Sequence, residues 1–170
     1  MEGKARFMIS NVLAASLATY LQGFEIEDIA NSLRTFIPSP ALTPGRLNVF
    51  KFKKFKVLID FAHNPAGYEA IEDYLKNVDS PKKIGIISGV GDRRDGDIRE
   101  CGKIAGRMFD HIIIRNEKHL RGRTEDEING LVIDGMQSSG KNVSYEIIPK
   151  EIDALKHAMS LAEENTFITA

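Results

Sequence analysis

The chain has 170 residues, enough for one ordinary domain or for a smaller domain with an appendage. Hydrophobic residues make up 42% and charged residues 28%, which is typical of a globular protein that buries a core without disulfides or metals. The formal net charge of −1 argues against a nucleic-acid binder that acts through bulk positive potential. Cys101 has no second cysteine to pair with, which favours a reducing cytoplasm. No apolar run approaches the roughly 20 residues that span a bilayer, so a membrane partner is not expected.

The first part of the chain is predicted to be helical. Residues 6–22 are rich in Ala, Leu and Met, and the apolar residues of 26–36 recur at helical spacing. Pro and Gly then crowd into residues 38–45, which predicts a linker or hinge. We therefore expect a helical segment over residues 1–37 and a second domain over residues 46–170.

After the linker, the hydrophobic period changes to that of strands. Residues 47–52 and 55–61 flank a Lys-Lys turn and predict a β-hairpin. Helices and strands then alternate: helices over 67–77, 97–109, 125–137 and 150–163, and strands over 83–88, 111–115, 143–148 and 166–169. Short β-branched strands separated by helices predict an α/β fold, with an open, mostly parallel sheet and helices on both faces. The hairpin should add an antiparallel edge.

Both ends of the sequence favour the interpretation that the chain is a piece of a longer protein. Two helices are too few for a domain of their own, and Ala170 ends a predicted strand with no loop after it. The alternative is a complete small protein with a helical arm.

Three polar loops are expected to meet at one edge of the sheet, because ligands bind beyond the carboxyl ends of parallel strands. They are DFAHNP at 60–65, GVGDRRD at 89–95 and NEKHLRGR at 116–123. The connections at the opposite edge, 79–82 and 138–142, are less rich in reactive side chains. This concentration of Asp, His, Asn and Arg on one edge predicts a ligand site.

Each loop also has a purely structural interpretation. Asp60 and His63 suit the N-cap of the following helix. The 89–95 loop is compatible with a solvated turn that carries weak surface ion pairs. The basic residues of 116–123 are compatible with an ordinary solvated face.

Two familiar nucleotide motifs are incomplete. Gly89 and Gly91 begin a dinucleotide fingerprint, but Arg94 occupies the third glycine position and Arg115 ends the next strand. The run GMQSSGKN at 135–142 nearly matches a P-loop, but it ends in Asn rather than Ser or Thr and follows a helix. A nicotinamide or flavin enzyme is therefore not expected, and the chain carries no P-loop of its own.

The order of the remaining motifs carries a family resemblance. NVLAA at 11–15, PGRLN at 44–48, DFAHNPAGYEA at 60–70, GDRRD at 91–95 and LRGR at 120–123 follow one another along nearly the whole chain. In this order they resemble the Mur ligases and folylpolyglutamate synthetases, and within that superfamily most of all the cyanophycin synthetases. The resemblance implies a three-part ADP-forming ligase whose Rossmann-like C-terminal domain closes over a central P-loop domain that holds ATP and Mg²⁺. An acceptor carboxylate is phosphorylated, and an amine then attacks the acyl phosphate.

The resemblance also assigns roles to individual residues. Asn11 matches an asparagine that meets the adenine, Arg46 matches a hinge arginine near the nucleotide, and Asp60 matches an aspartate that binds the ribose hydroxyls. His63 and Asn64 match residues that face the phosphates and the incoming amine, and are the candidate catalytic pair. No metal ligand is expected in this chain, since Mg²⁺ would be held mainly by the central domain.

A cyanophycin synthetase adds arginine to a poly-aspartate primer, and the resemblance implies these partners and a homo-oligomeric full-length protein. We expect the amino acid between the 91–95 and 116–123 loops, because arginine has one end of each sign. Arg121 or Arg123 would hold its carboxylate, and Glu117, Asp92 or Asp95 its guanidinium. The full predicted substrate-binding set is Asp92, Arg93, Arg94, Asp95, Glu117, Arg121 and Arg123. Lysine or ornithine, another ligase of the superfamily, and a non-catalytic binding module remain alternatives.

Overall fold

The computed structural model describes residue 5 and residues 7–170. The chain divides into two compact units, Met1–Pro44 and Gly45–Ala170. The first unit contains α1 (Phe7–Leu21) and α2 (Ile26–Thr35), as the hydrophobic pattern predicts. Gly23 lies between them with a φ of +90°, a left-handed conformation that ends a helix readily in glycine. Among the described residues, no helix is long and apolar enough to cross a bilayer.

The second unit begins with the predicted hairpin and continues as alternating helices and strands. Its elements are β1 (Asn48–Lys51), β2 (Phe55–Ile59), α3 (Pro65–Lys76), β3 (Lys83–Ile87), α4 (Asp95–Met108), β4 (His111–Ile114), α5 (Glu125–Gln137), β5 (Ser144–Ile147), α6 (Glu151–Ser160) and β6 (Thr166–Thr169). Within residues 7–170 they form one six-stranded sheet of order β1-β2-β6-β3-β4-β5. Only the β1–β2 pair in this sheet is antiparallel. The predicted α/β fold with a mostly parallel sheet is confirmed.

Helices cover both faces of the sheet, as predicted. Ile168 of β6 packs in a core cluster with Ala154 and Ala158 of α6. The preceding residue, Phe167, points to the other face because side chains alternate along a strand. There its ring lies 6.3 Å from the ring of Tyr74 in α3. Since α4 packs against both α3 and α5, these three helices form one layer and α6 lies in the other.

This layering creates a topological switch point between β4 and β5. The chain leaves β4 toward α5 in one layer and leaves β5 toward α6 in the other. The two connections therefore diverge at the carboxyl ends of neighbouring strands. A crevice at such a point is where open α/β sheets bind ligands.

The packing of α4 on α5 depends on glycine. A Cβ at Gly135 would overlap the carbonyl oxygen of Arg99, and a Cβ at Gly102 would overlap that of Val132. The backbones of the two helices therefore touch at these points. Gly130, on α5, has nothing within 4 Å of the position of a Cβ.

Candidate functional site

A cavity of about 810 Å³ opens at the carboxyl edge of the sheet. It is lined by the ends of β2, β3, β4 and β6, by the loop after β5, by the first turns of α6 and by Tyr68 from α3. It therefore includes the crevice at the topological switch point. Its volume lies within the range of small-molecule sites.

A tight turn places Arg46 beside the end of β2. Gly45 and Leu47 have φ values of +66° and +49°. Buried Asn48 holds this turn, because its Oδ1 accepts from the Gly45 N–H at 2.7 Å and its Nδ2 donates to the Arg46 carbonyl at 3.3 Å. The Phe61 N–H donates to the Gly45 carbonyl at 2.9 Å. Residues 45–48 thus form a hydrogen-bonded turn that lies against the end of β2.

Asp60 connects this turn to the cavity that it lines. Its Oδ2 accepts a hydrogen bond from the Leu47 N–H at 2.9 Å. Burial raises the pKa of Asp60 above its usual value, and this effect outweighs the hydrogen bond from Leu47, the charge of Arg46 and the hydrogen bond from Ala62, which lower it. A half-buried carboxylate with a raised pKa at a cavity is typical of a functional group.

The N-cap of α3 lies in the segment that follows Asp60. Asn64 is the N-cap, and its Oδ1 accepts from the Gly67 N–H at 2.8 Å. The alternative that Asp60 or His63 caps this helix is therefore wrong. His63 Nδ1 lies 2.9 Å from the Phe61 carbonyl oxygen and donates to it, which leaves Nε2 as a proton acceptor. The exposed Phe61 ring lies 5.3 Å from the His63 ring and 5.9 Å from the Arg46 guanidinium carbon.

The 91–95 and 116–123 loops lie side by side and already bind each other. Arg123 Nη2 is 2.7 Å from Asp95 Oδ1, and its Nη1 is 3.5 Å from Glu127. A Cβ at Gly91 would overlap the carbonyl oxygen of Leu120, so no ligand fits between the loops at this point. Asp95 is the first residue of α4 rather than a loop residue.

Only some of the predicted site residues line the cavity. Asp60 and Glu117 do, whereas His63, Asn64, Arg46, Asp92, Arg93, Arg94, Asp95, Arg121 and Arg123 lie outside its lining. Arg94 pairs with Asp97 at 3.3 Å, and the Nε of Arg93 is 3.8 Å from Asp92. In the first unit, Asn11 is exposed, and its Nδ2 lies 3.9 Å from the sulfur of Met8. The ligand roles of all these residues stay predictions.

The sequence pattern did not single out five other charged residues that line the cavity: Arg115, Glu125, Lys150, Glu151 and Asp153. Lys118 also lines the cavity, and it belongs to the predicted loop at 116–123. The Asn116 N–H donates to the Pro149 carbonyl at 3.0 Å, which joins the loops after β4 and β5. The run PKEID at 149–153 follows a strand at the same edge of the sheet, and that position was the signal that would have identified it.

The model of the family described as Mur ligase, glutamate ligase domain matches residues 45–170, which is the second unit of the structure. The chain belongs to this Mur ligase family. It is 42% identical over 168 residues to a cyanophycin synthetase from Crocosphaera subtropica, covering 99% of this chain and 19% of that protein. It is also 30% identical to a UDP-N-acetylmuramoyl-L-alanyl-D-glutamate–2,6-diaminopimelate ligase from Alkaliphilus oremlandii, over 95% of this chain and 32% of that protein. The chain therefore spans about a fifth of the length of the cyanophycin synthetases that it matches.

Solved structures of Mur ligase relatives share the fold. E. coli FolC in complex with DHPP and ADP aligns with a TM-score of 0.71 at 20% identity, over 94% of this chain and 35% of FolC. A UDP-N-acetylmuramoyl-L-alanyl-D-glutamate–2,6-diaminopimelate ligase aligns with a TM-score of 0.65 at 21% identity, over 97% of this chain and 32% of that ligase. At such identities the likeness shows a shared fold.

Proposed function

We propose that this Mur ligase chain acts as part of an ADP-forming acid–amino-acid ligase of the cyanophycin synthetase type. Such an enzyme adds arginine to the β-carboxylates of a poly-aspartate backbone through an acyl phosphate. The observation that carries the proposal is the 42% identity with a cyanophycin synthetase over 99% of this chain, in both structural units. We also infer that the full-length protein works in the cytoplasm as a homo-oligomer.

Arg46 in the turn at 45–48 and Asp60 beside it have the charged groups that a nucleotide-binding site needs. Arg46 is exposed and, among the described residues, is in no ion pair, so its guanidinium is free for a phosphate. Asp60 is the carboxylate that would hold the ribose hydroxyls. ATP, bound together with Mg²⁺, would supply the phosphoryl group that activates the acceptor carboxylate. As the resemblance implies, Mg²⁺ would be held mainly by the central domain.

This chain's own contribution to the reaction is positioning and proton transfer. His63 donates its Nδ1–H to a carbonyl, so its Nε2 is available to take a proton from the attacking amine. Asn64 fixes the start of α3 and thereby the backbone that carries His63. The charged groups of the cavity would orient the amino acid, which lowers the entropic part of the barrier.

In the full-length protein with a poly-aspartate primer, we expect ADP release that depends on the amino acid supplied. Arginine should give the highest rate because the cavity contains groups of both signs. The measurement is coupled ADP release over the twenty amino acids and ornithine. A preference for glutamate or alanine would contradict the arginine assignment but leave the ligase proposal intact. No amino-acid-dependent release at all would favour a non-catalytic binding module.

For the 170-residue chain alone, we expect no ATP hydrolysis above background and only weak nucleotide binding. The reason is that the sequence contains no P-loop, and residues such as Arg46 and Asp60 meet only one side of a nucleotide. Isothermal titration calorimetry with ATP tests this. Micromolar affinity would show that the chain holds the phosphates by itself.

A further inference from the structure

Tyr68 brings a polar group to the cavity that the proposed function does not yet use. Its side chain is buried, with 7% relative exposure, and it lines the cavity from α3. Among the described residues, its hydroxyl has no hydrogen-bond partner. The hydroxyl oxygen is nevertheless accessible to solvent from the cavity. Buried tyrosine hydroxyls normally have a partner. A hydroxyl that lacks one and borders a cavity is available to a ligand.

Arg115 lines the same cavity, and only one nitrogen of its guanidinium has a partner among the described residues. Its Nη1 contacts Glu117 Oε2 at 3.2 Å and the Asn116 carbonyl at 3.4 Å. Its Nε and Nη2 have no partner among the described residues, and neither is sealed from solvent. Burial raises the pKa of Tyr68, and the charge of Arg115 lowers it, so the two groups lie within electrostatic range of each other. The Tyr68 hydroxyl therefore stays protonated at neutral pH and can donate.

The charge of the rest of the cavity limits the kind of anion that these two groups can hold. Among the described residues, its lining carries five carboxylates and three basic groups: Asp60, Glu117, Glu125, Glu151 and Asp153 against Arg115, Lys118 and Lys150. Of the carboxylates, only that of Glu117 is in an ion pair within the described residues. Excess negative charge favours a ligand that carries one carboxylate together with positive charge over a ligand that is only anionic.

We propose that Arg115 and Tyr68 form a carboxylate subsite that holds the α-carboxylate of the amino-acid substrate. The Nε and Nη2 of Arg115 offer a pair of donors that matches a carboxylate, and the Tyr68 hydroxyl adds a third. The cationic side chain of the substrate then extends toward Glu151 and Asp153 in the first turn of α6. This inference rests on the proposed function and gives Arg115 the role that the sequence pattern gave to Arg121 or Arg123.

The test compares an amino acid with the amine that remains when its carboxyl group is removed. L-Arginine and agmatine are titrated separately into the ¹⁵N-labelled 170-residue chain, and the Arg115 Nε–H resonance and backbone amides are followed by NMR. We expect arginine to bind at least tenfold more tightly than agmatine. Tyr68→Phe should weaken arginine binding roughly tenfold, and Arg115→Gln more strongly, because both remove hydrogen bonds to a charged group. Agmatine binding should not change in either variant.

Tyr74→Phe is the matched control, because it makes the same substitution at a buried tyrosine of α3 that does not line the cavity. It should leave the arginine affinity unchanged. The subsite is contradicted if arginine and agmatine bind equally, if arginine does not shift the Arg115 resonance, or if Tyr68→Phe has no effect. A loss of ADP affinity in place of arginine affinity would instead show a phosphate subsite. Because binding is measured without turnover, an intact subsite in a protein that releases no ADP would separate this inference from the proposed function.

Discussion

We expect Gly135→Ala to lower the free energy of unfolding by about 2–3 kcal/mol, since overpacking a close backbone contact costs that order. A methyl group at residue 135 would overlap the Arg99 carbonyl oxygen, so α4 and α5 would have to separate. Both helices are buried along this contact and carry core residues such as Ile104 and Val132. The measurement is urea unfolding of the 170-residue chain followed by circular dichroism.

Gly130→Ala is the control for this prediction. It lies on the same helix with nothing within 4 Å of the added methyl, so it should raise stability by about 0.5–1 kcal/mol through helix propensity. If Gly135→Ala and Gly130→Ala both gained stability, the inference that the backbones of α4 and α5 touch at Gly135 would be contradicted. Gly102→Ala should behave like Gly135→Ala, because it faces the Val132 carbonyl in the same interface.

We expect Asp60→Ala in the full-length ligase to raise the KM for ATP roughly ten- to hundredfold, which corresponds to about 1.5–3 kcal/mol for lost charge-assisted hydrogen bonds. Asp60→Ala also removes the acceptor of the Leu47 N–H, so its stability should fall. Asp60→Asn retains an oxygen that can accept this bond but loses the charge. It should raise the KM for ATP as well, while the turn at 45–48 stays in place.

The pH dependence of stability distinguishes a functional carboxylate from a structural one at Asp60. Burial raises the pKa of Asp60 in the folded state, so the folded protein holds this proton more tightly than the unfolded chain does. The ionised group therefore costs stability, and the cost appears as the pH rises through the folded pKa. Asp60→Asn should be more stable than the native chain above that pH, and the difference should vanish below 3.8, the ordinary pKa of an aspartate.

Two outcomes would contradict the role of Asp60 in nucleotide binding. Unchanged ATP kinetics in Asp60→Asn, together with a less stable Asp60→Ala, would show that the carboxylate serves only the turn. Lower stability of Asp60→Asn at neutral pH would show that the charge itself stabilises the fold. A functional residue that lowers stability is expected where activity needs a buried charge.

The amino-acid sequence alone determined the type and order of the elements. The period of the apolar residues distinguished strands from helices, and the glycine and proline run at 38–45 ends at Gly45, where the second unit starts. The rule that ligands bind at the carboxyl ends of parallel strands selected the edge where the cavity lies. Asp60 and Glu117, two of the residues singled out at that edge, line the cavity. These features depend on local pattern and on chain direction, which a sequence displays directly.

Only the tertiary structure decided which of those loops meet. The insertion of β6 between β2 and β3, and the position of α6 in its own layer, bring residues 149–153 into the wall of the cavity. The pairing of Arg123 with Asp95, and the entry of Tyr68 from α3, follow from helix packing in the other layer. Strand order and helix packing are set by contacts between residues far apart in the chain, summed over the whole core. No local period carries that information, so the partners of an individual charged side chain emerge only when the core is assembled.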